Sequence, residues 1–438
     1  MPTIGAGSKV TLKGTLLLLA ALALPLVGCS SPAAPTQVFV DPSSGQDTHP
    51  GTQERPLKTL KKALEAAVGP VRTVVLLAGT YDGASGETWG YTVPDGITVK
   101  ANSAGVILSG FAGKTGLTLS GGAALSFLTL RNFAVAVQAD AGTPTLTGVT
   151  FADNTLGLKL SGSVRATVSE VSFGGKPTDS VSSLTLEGEA QATLNTPVFT
   201  DSTGILAKGR SRLTVNGGTL ERVGVSRNIS DPSVAPVLNA LTLWDSATAA
   251  LNGPAVRNCL NAFSLKDPGT RLELVGGTVS GPESSSWSSG TLIIEVTRFE
   301  QVYLGVAIFG GSVSVKNARF TQSRAYALRL GGAAQLKVRG SSFDSNGTIA
   351  NDQSGGVVVD GGLADLGTTA DPGGNTFANG RPSLLDHGGN LTIHATGNTW
   401  DATTQGADSA GKYAAGTVVA GPASGFNFRL KAGSSIRL

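Results

Sequence analysis

Residues 146–151 read LTGVTF: an apolar–polar–apolar strand, a small polar corner, then a large apolar residue that opens the next strand. The phrase returns as VSEVSF at 168–173, LNTPVF at 194–199, VNGGTL at 215–220, LNGPAV at 251–256 and LVGGTV at 274–279. It continues as IEVTRF at 294–299, VKNARF at 315–320 and VRGSSF at 338–343, with shorter echoes in GGNTF ending at Phe377 and TGNTW ending at Trp400. Subtracting successive final residues gives steps of 22, 26, 21, 36, 23, 20, 21, 23, 34 and 23. Most lie near 22, and the long ones read as the same step carrying an inserted loop. A period in this range, made of short strands and turns, is the signature of a solenoid.

Composition narrows the choice. Charged residues make up 14% of the chain, against roughly 25% in ordinary globular domains. Sixty glycines and 5% aromatics suit short strands joined by tight corners. Twenty-odd residues are too few for a four-stranded propeller blade and fit one coil of a parallel β-helix, with three strands and three corners. Stacked coils lie about 4.8 Å apart, so each apolar column buries itself against its copies above and below. A β-sandwich array would need antiparallel hairpins with two-residue turns, whereas the NG and GG pairs here sit at a fixed phase of a longer period. The expected fold is all-β: a parallel β-helix of about 11–13 coils.

The first residues read as an address. Lys9 and Lys13 precede an apolar run from Leu16 to Val27, followed by LVGC ending at Cys29. The run is short for a bilayer span, and a basic start, apolar core and small residues before a cut describe a secretory signal. The LVGC ending resembles the lipobox of bacterial lipoproteins. That resemblance implies cleavage before Cys29 and acylation of this cysteine, making it the membrane anchor. It also implies secretion across the inner membrane, with the protein held at the outer membrane, cell surface or periplasmic face. The SSPAAPTQ stretch that follows reads as a flexible tether. The expected organisation is a leader over 1–28, a tether over 29–37, a cap with the first coils over 38–110, and a coil body with closing coils over 111–438. Removing the leader takes two lysines and no acids, so +3 becomes 3 − 2 = +1, which does not suggest a nucleic-acid partner. The other cysteine, Cys259, lies among apolar residues and reads as a small buried hydrophobe.

The segment 38–110 starts with the alternating strand Val38–Val40. A polar loop follows, then a helix in which Pro56 is expected in the first turn and Leu57, Leu60, Leu64, Ala67 and Val68 on one face. Asp47, Gly51, Thr52, Pro56, Thr59 and Leu60, with GTY at 79–81, spell a motif. This stretch resembles the N-terminal part of secreted bacterial right-handed β-helix proteins of a largely uncharacterised family, some of them pectate-lyase-like. The resemblance implies a right-handed coil capped by an α-helix. A cap is also a physical need, because an uncovered first coil exposes unpaired strand groups. The stretches 364–380 and 397–413 resemble the closing coils of the same family.

For chemistry, a polysaccharide lyase needs a cation beside the uronate and a base, and a hydrolase needs two carboxylates about 5–9 Å apart. In a β-helix these would recur one period apart, and no such Asp or Glu set stands out. Four residues before each landmark, Asn195, Asn216 and Asn252 share one phase and are expected to form an amide ladder. Glu295, Lys316 and Arg339 share the same phase on three later coils. Lys316 and Arg339, with Arg319, Arg324, Arg329 and Lys337, are read either as a solvated face or as a basic stripe for an acidic glycan. Trp287, in GPESSSWSSG, is a candidate for stacking on a sugar ring. The histidines His49, His387 and His394 lack zinc spacing. Asp41, Ser43 and Asp47 miss the calcium-loop pattern; no metal or cofactor is expected, calcium at this loop being the one alternative. Inserted loops are expected near 174–184, 224–239, 281–290 and 349–375, where solenoids build binding faces.

Two functions follow as expectations. One is an envelope-anchored β-helix lipoprotein that binds a glycan or another envelope component, or serves structurally, without catalysis. The other is a polysaccharide lyase or glycoside hydrolase acting on an acidic polysaccharide. Oligomeric state is left open.

Overall fold

The computed structural model describes residues 36–400 apart from 112, 176–181, 225–238, 282–284, 350–353, 380–381 and 389–390, together with the strands Thr417–Val419, Phe428–Arg429 and Ser435–Arg437. The leader, Cys29 and most of the tether lie outside the described residues.

Each period supplies three short strands, as in Val135–Ala139, Thr145–Thr147 and Thr150–Ala152, after which Leu156–Leu160 returns to lie beside the first. All pairings are between parallel strands one coil apart, and they build three long sheets of 17, 14 and 14 strands among the described residues, here called A, B and C in the order 145–147, 150–152 and 156–160. The result is a right-handed parallel solenoid of about 13 turns.

The landmark residues form one inward column of sheet B. Phe151, Phe173, Phe199, Leu220, Val256 and Val279 are register partners in turn, followed by Phe299, Phe320, Phe343, Phe377 and Trp400. Adjacent Phe rings stack at 4.5–5.1 Å. That is the strand spacing itself, so backbone pairing and ring stacking reinforce one another.

The corner from sheet A to sheet B turns on one or two left-handed residues, Gly148, Gly217 and Gly253 among them. Beside this corner Asn252 Nδ2 donates to Asn216 Oδ1 at 2.9 Å, Asn216 Nδ2 to Asn195 Oδ1 at 2.9 Å, and Asn195 Nδ2 to Ser169 Oγ at 3.2 Å. Buried corner amides do similar work further along: Asn346 accepts from the Ser323 amide and donates to Phe320 O. Cys259 is buried with Sγ 3.4 Å from Leu220 O. Burial pushes its thiol up to about 11, so it stays protonated at neutral pH.

The cap follows from its motif. Asp47 accepts the amides of Lys58 and Thr59 and the Thr59 hydroxyl, and Thr59 caps the helix Leu60–Ala66 by accepting from Lys62 N. Gly51 is obligatory: its φ is +77°, and a Cβ there would lie 2.3 Å from Val38. Glu87, buried beneath the helix, accepts from Leu60 N at 2.7 Å and from the Tyr91 hydroxyl at 2.9 Å. Two expectations are corrected here. Pro56 lies before the helix rather than in its first turn, because Thr59 supplies the cap. Val68 is 68% exposed, since the helix ends at Ala66 and the chain turns away.

Candidate functional site: the outer face of sheet C

The insertions gather mainly on one corner. Residues 175–183, 224–238, 281–285 and 345–354 all lie between a sheet B strand and the following sheet C strand. The expected single insertion over 349–375 is two, because the strands Gly355–Val359 and Leu363–Asp365 interrupt it, and its second part sits on the corner from sheet A to sheet B. Sheet C is therefore the face that the B-to-C insertions border.

Trp287 is not in a loop. It lies on the strand Ser286–Ser288 of sheet C, where register places it in an outward row with Ser264 before it and Ala307, Arg329 and Val358 after it. Two residues further along each strand runs a second row. Phe309, Gly331, Asp360 and His387 each donate a backbone amide to the coil before, at 2.7–3.0 Å, and so lie on consecutive rungs. Small Ala307 leaves room between the rows, and Trp287 and Phe309 stack with centroids 5.6 Å apart and planes 17° apart. Phe309 is 50% exposed, a large apolar ring left in water. Its far edge lies over Gly331: a Cβ at Gly331 would be 3.6 Å from Phe309 and 4.0 Å from the Asp360 Cβ.

The platform thus runs directly into a polar cluster. Arg329 Nε donates to Asp360 Oδ2 at 2.5 Å, and His387 Nδ1 lies 3.1 Å from Asp360 Oδ1. An ionised carboxylate only accepts, so Nδ1 carries the proton. The Arg329 guanidinium also sits over the Tyr326 ring, 5.6 Å from its centroid. Burial raises the Asp360 carboxyl, but the hydrogen bonds of His387 and Arg329 outweigh that and hold it below the usual carboxylate range. Burial pushes the Tyr326 phenol up to about 12. Behind the cluster, Ala307, Ala325, Tyr326, Val358 and Leu385 form a small apolar core outside the main one, which fixes the strand end carrying Arg329. Trp244 stands in the second row three rungs before Phe309, half-buried.

The candidate basic residues divide between faces. Lys316, Lys337 and Arg339 lie on sheet A, where Glu295, Lys316 and Arg339 are register partners. Arg339 turns to Asp365 and Asp371, each at 2.8 Å, and Lys337 also pairs with Asp371 at 2.8 Å. Three cations against two carboxylates leave this cluster at 3 − 2 = +1, too little for a strong anion stripe. These pairs hold the Asp371 carboxyl down at about 2. Beside them, Ser312 and Ser314 line a hollow of about 320 Å³ together with Lys337 and Asp365. Arg319 is on sheet B. Arg324 lies over the Tyr303 ring at 5.5 Å, at the corner leading into sheet C. Only Arg329 and Trp287 share the sheet C face with the polar cluster.

Other sequence candidates resolve locally. Asp41 accepts from Ser43 N, Ser44 N and Ser44 Oγ, closing its own turn. Asp47 is committed to the helix cap. Among the described residues no three His, Cys, Asp or Glu side chains group as metal ligands. Among them, too, no helix is long and apolar enough to cross a membrane.

Cap, coil and bordered face together define a right-handed parallel β-helix protein with one elaborated side. Residues 43–207, the cap and first coils, match the family model described as "Protein of unknown function (DUF1565)". No curated protein matches the sequence. Among solved structures the chain is similar to the GH136 lacto-N-biosidase from Eubacterium ramulus, at 11% identity and a TM-score of 0.42, covering 68% of this chain and 67% of that one. It is also similar to the catalytic unit of the GH87 α-1,3-glucanase from Streptomyces thermodiastaticus strain HF3-3, at 12% identity, a TM-score of 0.34 and coverage of 77% and 65%. A GH87 α-1,3-glucanase catalytic domain in complex with tetrasaccharides gives 10% identity, a TM-score of 0.37 and coverage of 92% and 69%.

Proposed function

We propose that this chain is an envelope-anchored β-helix that binds a glycan on the outer face of sheet C without cleaving it. The observation that carries the reading is the stacked, half-exposed Trp287–Phe309 platform abutting the Arg329–Asp360–His387 cluster. A pyranose offers a flat C–H face to an aromatic ring and a rim of hydroxyls to hydrogen-bonding groups, and this site presents both within adjacent rungs. Asp360, held below the ordinary carboxylate range, is a poor proton donor for a hydrolase. Glu87, a carboxyl that burial raises, spends its oxygens on the cap. Anchoring through Cys29 rests on the sequence of the leader.

The test is titration of acidic and neutral oligosaccharides into the full-length chain and into Trp287→Ala and Phe309→Ala variants. Loss of about tenfold or more in affinity, equal to about 1.4 kcal/mol, with the sugar recovered intact, is the expected result. Binding unaffected by both substitutions would overturn the assignment to this face, and new reducing ends or unsaturated products would overturn the non-catalytic reading.

A further inference from the structure

A second aromatic is held out in water far from sheet C. Phe127 sits at the left-handed corner between sheets A and B, with φ +59°, in a row where most other coils use Gly or a polar residue. It is 60% exposed. A bulky side chain in the left-handed region is strained, and here the ring stays mostly in water. The next coil accommodates the ring: a Cβ on Gly148 would lie 2.5 Å from Phe127 Cδ1, so only glycine lets the ring rest on the backbone.

One coil earlier, the same corner is lengthened. Asn102–Gly105 spans four residues between the strands Thr98–Ala101 and Val106–Ser109, where the Phe127 corner needs two. The lengthened corner and the Phe127 ring enclose a hollow of about 480 Å³, within the usual range of about 300–1,000 Å³ for small-molecule sites. Its lining includes Asn102, Ser103, Thr129 and Thr150 and contains no charged side chain. Thr150 Oγ1 accepts from Ser172 Oγ at 3.0 Å, which leaves its own proton to donate outward.

We infer that this hollow is a second carbohydrate site, taking an uncharged sugar ring stacked on Phe127 with its hydroxyls on Thr129, Thr150 and the Asn102–Ser103 corner. The absence of lining charge selects a neutral sugar over a uronate, whose carboxylate would be desolvated there without a partner. The site lies seven coils from the Trp287 coil, about 34 Å along the axis at the strand spacing, and on a different side of the coil. It stands independently of the sheet C reading.

The test uses the full-length chain with maltohexaose, cellohexaose, laminarihexaose and chitohexaose as probes, titrated calorimetrically against wild type, Phe127→Ala, Thr150→Val and Trp287→Ala. The expected result is that at least one neutral probe loses about tenfold or more in affinity with Phe127→Ala and several-fold with Thr150→Val, while Trp287→Ala retains that component. Thermal stability of Phe127→Ala should fall only slightly, since most of the ring is in solvent. If no probe shows binding that depends on Phe127, or if Trp287→Ala removes the same component, the inference is overturned. A loss confined to Trp287→Ala would leave the sheet C site standing and refute this one alone.

Discussion

Replacing Phe320 by Ala tests the physical basis of the coil. Phe320 is fully buried and stacks between Phe299 at 4.7 Å and Phe343 at 5.1 Å. Buried Phe→Ala changes cost about 3–5 kcal/mol through lost transfer energy and the cavity left behind. The column cannot collapse to fill that cavity, because strand spacing holds the neighbouring rungs apart, so the upper half of the range applies: about 4 kcal/mol. Phe320→Leu separates the two contributions. Leu220 occupies the same column, so the backbone accepts Leu, and the loss is chiefly two ring contacts, about 1–3 kcal/mol together. Phe309→Ala is the control. That ring is half in water, so its removal should cost about 1 kcal/mol, roughly half the value of a fully buried Phe. Urea unfolding of the three variants, compared at unchanged slope, gives the values. A Phe320→Ala cost no larger than that of Phe309→Ala would refute the claim that the stacked column holds the coils together.

Two further outcomes follow. Asn216 both donates to Asn195 and accepts from Asn252, so Asn216→Ala leaves a partner stranded on each side and should cost about 1–2 kcal/mol; a change within the error of the urea melts would mean that solvent replaces the ladder. Asp360 is held below its ordinary range, so its contribution to stability is fully present above the unfolded carboxyl value near 4 and is lost as pH falls through the lower folded value. Asp360→Asn should therefore be less stable than wild type at pH 7, with the gap closing as pH drops below about 4; a gap constant between pH 7 and pH 2 would refute the pairing.

Much of the architecture is readable from residues alone because a solenoid repeats its inward positions at fixed phase. All eleven landmarks from Phe151 to Trp400 are register partners in turn. The cap motif is equally legible, since Asp47 and Thr59 act only a dozen residues apart. The sheet C site is not. Counted back from the next landmark, Ser289, Phe309, Gly331, Asp360 and His387 lie 10, 11, 12, 17 and 13 residues away. The corner between sheets C and A, and the insertion at 366–375, vary in length, so this row has no period to find. Trp287 stands out there as an aromatic among serines, and Arg329 only as one of several basic residues.

Sequence by itself determined the coil, its inward columns and its cap, because burying an apolar column at one strand spacing demands periodicity. Only the tertiary structure decided which outward residues meet. It sent Lys316, Lys337 and Arg339 to one face and Trp287 and Arg329 to another, and it paired Lys337 and Arg339 with Asp365 and Asp371. Arg329 found Asp360 from 31 residues away, and Phe309 was carried onto Trp287. Outward side chains answer to the lengths of the corners around the coil, and those lengths are free of the apolar repeat that sets the fold.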